Sequence, residues 1–215
     1  MRNLFNVHAM IPGEPLVHNK PWLRKVDGQV VRYVRGSVED ASVNMLRAIG
    51  GPRYVDLDRA LNRNAARLTA HLDCLRTAGV PVVRSTVTVE EIPYFAGLQA
   101  KPKSFQLGMK VVSDYLTGSK LDDAPQPVTP DVSSAVDKLH SGLETYARES
   151  VAAGEPFLGD VYWAWQYLMA GLEPEQHPQP TLIDTDPLFI SSTQANLDRV
   201  LRMIEDQRQG FVPPS

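Results

Sequence analysis

The chain has a single cysteine, Cys74, among its 215 residues, so no intramolecular disulfide can staple it. Cys74 falls within an amphipathic helical pattern, which predicts a plain core thiol rather than a nucleophile. No stretch stays apolar for long enough to cross a bilayer, and the opening MRNLFNVHAMIPGEP contains no apolar run of the signal-peptide kind. These two absences predict a cytoplasmic protein without a membrane partner. The 22 basic residues are outnumbered by 25 acidic ones, so no surplus of positive charge points to nucleic acid. There is no internal repeat and no low-complexity tract. What remains is a composition of soluble globular type, long enough for one domain or one domain in two lobes. Proline is plentiful, with 17 residues gathered at joints near 12–21, 125–130, 174–187 and 213–214.

Chemistry is most concentrated in Gly154–Phe189, GEPFLGDVYWAWQYLMAGLEPEQHPQPTLIDTDPLF. Apolar residues stand before each acid: Phe157 and Leu158 before Asp160, and Leu182 and Ile183 before Asp184. That pattern predicts chain leaving a core and presenting a carboxylate on a loop. Two such carboxylates can hold a divalent cation, or divide base and metal-binding roles between them. A helix cap and a turn are the alternative, and the Asp186-Pro187 pair makes a good turn in any case. Trp163 and Trp165 are ordinarily core or interface aromatics.

Taken in order, residues 1–21 are irregular because Pro12, Pro15 and Pro21 break any helix. WLRKVDGQVVRYVR, residues 22–35, reads as a hairpin about Asp27-Gly28, since a type I′ turn needs positive φ at both positions. Pairing outward sets Val26 opposite Gln29, Lys25 opposite Val30 and Leu23 opposite Arg32. Lys25 and Arg32 then share one face with Leu23, Val30 and Val34, either as functional cations or as side chains snorkelling at a sheet edge. Ser37 and Asp40 predict a short helix ending at Gly50-Gly51. A longer helix, capped by Asp56, carries Leu57, Leu61, Ala65, Leu68, Leu72 and Leu75 on its apolar stripe and stops at Gly79 before Pro81. His71 beside that stripe is read as a packed histidine, with no second ligand at metal-binding spacing. Val80–Val89 and Phe105–Leu116 are expected strands. Asp122–Pro130 is a proline-rich linker, dividing a strand-rich lobe, 1–121, from a helical lobe, 122–215. Thr129 caps a helix with Pro130 at its first position and Val132, Val136, Leu139, Leu143 and Tyr146 buried, as far as Gly154. Ser192 caps the last helix, whose stripe is Leu197, Val200, Leu201 and Ile204.

This order resembles the protein-kinase-like fold, in particular its compact bacterial and aminoglycoside-phosphotransferase-like branches, over roughly residues 22–205. The fold implied is α+β: a small antiparallel sheet with one long helix, then a mainly helical lobe. The hairpin is similar to the second and third strands of a kinase small lobe, and helix 57–78 with AGVPVVRSTV to the regulatory helix and fourth strand. VVSDYLTGSKLDD is similar to the fifth strand and hinge. FLGDVYWAWQYL resembles the catalytic loop, with Asp160 as base, and LIDTDP resembles the metal-binding segment. The resemblance implies ATP as phosphoryl donor, magnesium held by Asp184, Asp186 and Gln166, and phosphate contacts from Lys25 or Arg32. The adenine would lie against Val111, Val112 and Ser113. The acceptor would be a hydroxyl on a protein or small molecule.

The departures from the family pattern are specific. Trp165 stands where a kinase has its asparagine, five residues after the aspartate, and Gln166 serves only if the loop is one residue longer. The strand lysine is replaced by Arg32, which is not an equivalent group. The long helix has Asn62 and Asn64 where a glutamate is expected, and no glycine-rich loop precedes Trp22. A pseudokinase-like binding module and an unrelated α+β interaction domain therefore stand as the other readings.

Overall fold

Asp27 and Gly28 take φ values of +47° and +76°. These are the two positive values that a tight hairpin of right-handed twist demands. The flanking strands, β2 (Leu23–Val26) and β3 (Gln29–Arg35), close with Val26 opposite Gln29, Lys25 opposite Val30 and Leu23 opposite Arg32, as the turn dictates. The computed structural model describes residues 12–17, 20, 22–35, 54–95, 102–123, 128–170, 179–183, 185 and 187–211. The helix expected between Ser37 and Gly50 lies outside them. The architecture is α+β, and the chain divides into two compact units, residues 1–69 with 84–115 and residues 70–83 with 116–215.

The first unit is built on an antiparallel sheet in the order β1-β2-β3-β5-β4, where β1 is Glu14–Pro15, β4 Ser85–Phe95 and β5 Pro102–Asp114. The irregular start thus contains one two-residue strand, and the buried Arg24 secures it by donating to the carbonyls of Pro12 and Gly13. Strand period two sorts the sheet into two faces. Val34, Val87, Val89, Leu107 and Met109 pack on Leu61 and Ala65 of α1 (Tyr54–Thr77). Val31, Tyr33 and Ile92 form the other cluster, with Trp22, Val26 and Val112 against it. β4 begins at Ser85 rather than Val80 because the preceding residues are engaged elsewhere. Leu182 donates to the Pro81 carbonyl at 2.8 Å and accepts from the Val83 amide at 3.0 Å. β5 stops at Asp114, and the Tyr115 amide turns to the Gly28 carbonyl.

The long helix starts earlier than expected. Asp56 is its third residue and so cannot be its cap. Its end follows a Schellman pattern: Gly79, at φ +86°, donates to Arg76, and Val80 donates to Leu75. Leu61, Ala65, Leu68, Leu72 and Leu75 are buried, but Cys74 is exposed, contrary to the core thiol expected. It precedes Leu75 by one residue, about 100° round the helix and off the stripe.

In the second unit, α2 (Pro130–Ala152) is capped by Thr129, whose hydroxyl accepts from Val132, and it buries the expected stripe. α3 (Gln194–Gln209) is capped by Thr193 rather than Ser192, because the threonine is the residue three positions before the amide it caps, Asn196. Leu197, Val200 and Ile204 are buried, and Leu201 is half-buried. Arg208 of α3 ties the two helices together through Glu144 at 3.0 Å and Asp137 at 3.5 Å of α2. The unit is more than helical. β6 (Ser119–Lys120), β8 (Tyr167–Ala170) and β9 (Gln179–Leu182) form one sheet in the order β6-β8-β9, and β7 (Phe157–Leu158) pairs with β10 (Phe189–Ile190).

Two consequences of this packing are measurable. Ile92 lies across Gly108, where any Cβ would overlap its side chain. Gly108→Ala should cost about 1–3 kcal/mol of unfolding free energy in urea, as overpacking does. The cost should shrink in an Ile92→Ala background, since the clash is then removed. His140, fully buried on α2, is held below its ordinary value of 6.5 by burial first and by the Arg208 charge second, with Gln207, Asp137 and Glu144 opposing. The unfolded chain therefore takes up the proton first. Stability should be full above about pH 6.5 and fall as the pH drops from there towards the lowered folded value. A His140→Leu variant should lose that part of the acid slope.

Candidate functional site

Phe157 and Leu158 of β7 are fully buried, and the chain stays buried through Asp160, Val161 and Tyr162 rather than leaving the core as the sequence pattern predicts. The Gly159 amide donates to the Leu188 carbonyl at 2.8 Å, and a Cβ on Gly159 would stand 2.8 Å from Ile190 Cγ2. Glycine is therefore what lets the returning strand pass so close. Two 3₁₀ turns follow, Asp160–Tyr162 and Ala164–Gln166, joined at Trp163. The Tyr167 hydroxyl reaches back to the Val161 carbonyl at 2.6 Å and fixes the loop from inside.

The tight turns bring the ends of this loop together. Gln166 Nε2 donates to Asp160 Oδ2 at 3.5 Å, and both residues are buried, Asp160 to 6% exposure. The hairpin β8–β9 then returns the chain to the same place, with Tyr167 opposite Leu182. The Ile183 amide donates to the Gln166 carbonyl at 2.9 Å. The residue preceding Asp184 is thus bonded to the residue that pairs with Asp160. Asp184 and Asp186 themselves lie outside the described residues. Among the described residues there is no cluster of three histidine, cysteine, aspartate or glutamate side chains of metal-site type. The two tryptophans of the loop, expected in a core or interface, are 41% and 46% exposed and stack on each other at 4.6 Å and 13°. A loop whose other large side chains are buried directs both indoles outward.

Three buried tyrosines lie in or against this stretch. Burial raises Tyr146, Tyr162 and Tyr167 above the ordinary phenol range, and the Asp160 charge raises Tyr146 and Tyr167 further. All three remain neutral at physiological pH, able to donate a hydrogen bond but not to act as phenolate bases.

The site residues of the first unit are distributed along its sheet. Lys25 is exposed, with its ammonium 3.7 Å from the centre of the Tyr115 ring. Arg32 is 8% exposed, on the face that α1 covers, and Asn64 of α1 is buried too. Arg32, buried on an interior strand, is therefore not snorkelling at a sheet edge. Val112 and Ser113 sit on a central strand, paired on one side with Val31 and Val30 and on the other with Thr86 and Ser85. Their backbone groups are engaged, so a base that bonds main chain at this end of β5 finds it only past Tyr115. Sequence reasoning missed two residues here, Arg24 and Tyr146. The Arg24 side chain alternates with Lys25 to the opposite face, and the Tyr146 hydroxyl projects from an otherwise apolar stripe. Comparison of the chain with protein-family models, curated proteins and solved structures gives no match.

Proposed function

We propose that this chain is an atypical phosphotransferase of protein-kinase-like construction, moving the terminal phosphoryl group of ATP to a hydroxyl of a protein or small molecule. The observation that carries the reading is the meeting of Asp160 and Gln166, with Ile183, the residue before Asp184 in sequence, bonded to Gln166. The element order supports it as well. The hairpin and two further strands belong to one antiparallel sheet with the long helix between them in sequence, and a capped helix then leads to the acid loop and its hairpin.

In this reading the Asp160 carboxylate accepts a hydrogen bond from the acceptor hydroxyl and orients it for attack. Gln166 holds one Asp160 oxygen through its amide nitrogen, leaving its amide oxygen as a ligand. Together with Asp184 and Asp186 it would offer an oxygen-only donor set suited to a hard cation. Magnesium bound there would neutralise charge on the nucleotide phosphates. Positioning and charge neutralisation are the main demands of phosphoryl transfer, so a reduced constellation suffices.

A second reading is a nucleotide-binding module without transfer. It is favoured by Arg32 standing buried where a lysine is expected, with Asn64 rather than a carboxylate on the facing helix.

The two are separated by titrating ATP with magnesium and following ADP formation. Asp184→Asn should abolish metal-dependent nucleotide binding. Asp160→Asn should leave binding intact and lower turnover by about 10²–10⁴-fold. Binding without ADP formation by the unaltered chain selects the binding module. Unchanged binding and turnover in both variants rejects the site.

A further inference from the structure

We propose that His71 and Tyr146 are positioning residues that hold the two acid-bearing segments together through a closed circuit of contacts, and that this circuit opens on acidification. Four residues make the circuit. The Leu158 amide donates to Tyr146 Oη at 2.9 Å, and Tyr146 Oη meets His71 Nδ1 at 2.8 Å. The His71 ring packs on Phe189 at 5.2 Å, and Phe189 is the β-partner of Leu158. Leu158 is two residues before Asp160, and Phe189 is three residues after Asp186. One circuit therefore clamps the chain entering the first acid and the chain leaving the second.

The hydroxyl is required for a backbone reason. The Gly159 amide turns towards β10, to the Leu188 carbonyl. Successive amides of a strand alternate, so the Leu158 amide faces the other way, away from β10. Leu158 is fully buried. Without the Tyr146 oxygen its N–H has no ladder partner, which is costly in a core.

The proton positions follow. Tyr146 Oη accepts from Leu158, and it keeps its own proton because burial raises the phenol. Of the hydroxyl's two contacts, His71 Nδ1 is the one able to accept its hydrogen, in the tautomer that leaves Nδ1 unprotonated. A proton on Nδ1 turns that acceptor into a donor, and the tyrosine hydrogen must then leave the contact for buried surroundings. Among the described residues, the titratable groups near the hydroxyl are His71 and Cys74 of α1 and Asp160 of the loop, with Tyr162 beyond the intervening Phe157 ring. Cys74 and Asp160 disfavour the phenolate and so reinforce the donor role of Tyr146.

The circuit stands without the phosphotransfer reading; only its consequence for turnover rests on that reading. The test uses the full chain and no nucleotide: amide hydrogen exchange at Leu158, corrected for intrinsic rate, at about pH 7.5 and about pH 5.5, on either side of the ordinary imidazole titration. In the unaltered chain, protection should fall roughly tenfold on acidification, the scale of one lost buried hydrogen bond. His71→Gln offers a carbonyl acceptor that does not titrate, so it should keep protection at both values. Tyr146→Phe should lose protection at both. Equal protection of the unaltered chain at the two pH values, or full protection in Tyr146→Phe, overturns the proposal. Should Tyr146→Phe fail to fold, the comparison between the unaltered chain and His71→Gln decides alone. If the circuit is confirmed while ATP binding is absent, the phosphotransfer reading fails and the positioning role does not.

Discussion

The hydrogen bond from the Leu158 amide to the Tyr146 hydroxyl is the constraint on which the second unit turns. A two-residue strand pair such as β7–β10 has little stability by itself. Here it is held from behind by a side chain on a 23-residue helix, and that helix is anchored to α3 through Arg208. The rigidity passes to the next segment. Fixing Leu158 fixes the start of the 3₁₀ turns, and the Tyr167 hydroxyl fixes their interior. Asp160 and Gln166 meet because the chain between them has no slack.

Much of this was legible in the sequence where the signal is local. The Asp27-Gly28 turn sets its own register, because strand period two propagates outward from a fixed pair. The stripes of α1 and α2 and the Thr129-Pro130 start are likewise decided within a few residues of chain. Gln166 stood out in the sequence as a candidate metal ligand, but its contact with Asp160 did not, because two consecutive 3₁₀ turns make it while turning both tryptophans outward.

What escaped the sequence depends on distant partners. Val80–Val83 is as β-branched as any strand, yet its backbone bonds go to Leu182, about a hundred residues further on, and β4 starts only at Ser85. Tyr146 reads as one more apolar residue on a stripe, and nothing local shows that its hydroxyl meets a histidine 75 residues earlier. Arg24 was overshadowed by its neighbour Lys25. It faces the Val31 and Tyr33 side of the hairpin and bonds the carbonyls of Pro12 and Gly13, just before a short strand that the prolines conceal.

Two observations pull the proposed phosphotransferase reading in different directions: Asp160 and Gln166 are in contact, while Arg32 and Asn64 stand where the resemblance implies a lysine and a carboxylate. The measurement that weighs them most directly is calorimetric titration of the unaltered chain with a non-hydrolysable ATP analogue, with and without magnesium. Saturable binding that requires the metal is the expected result. No binding heat in either condition, together with no change in thermal stability on adding the nucleotide, would contradict the assignment of a nucleotide site to this chain.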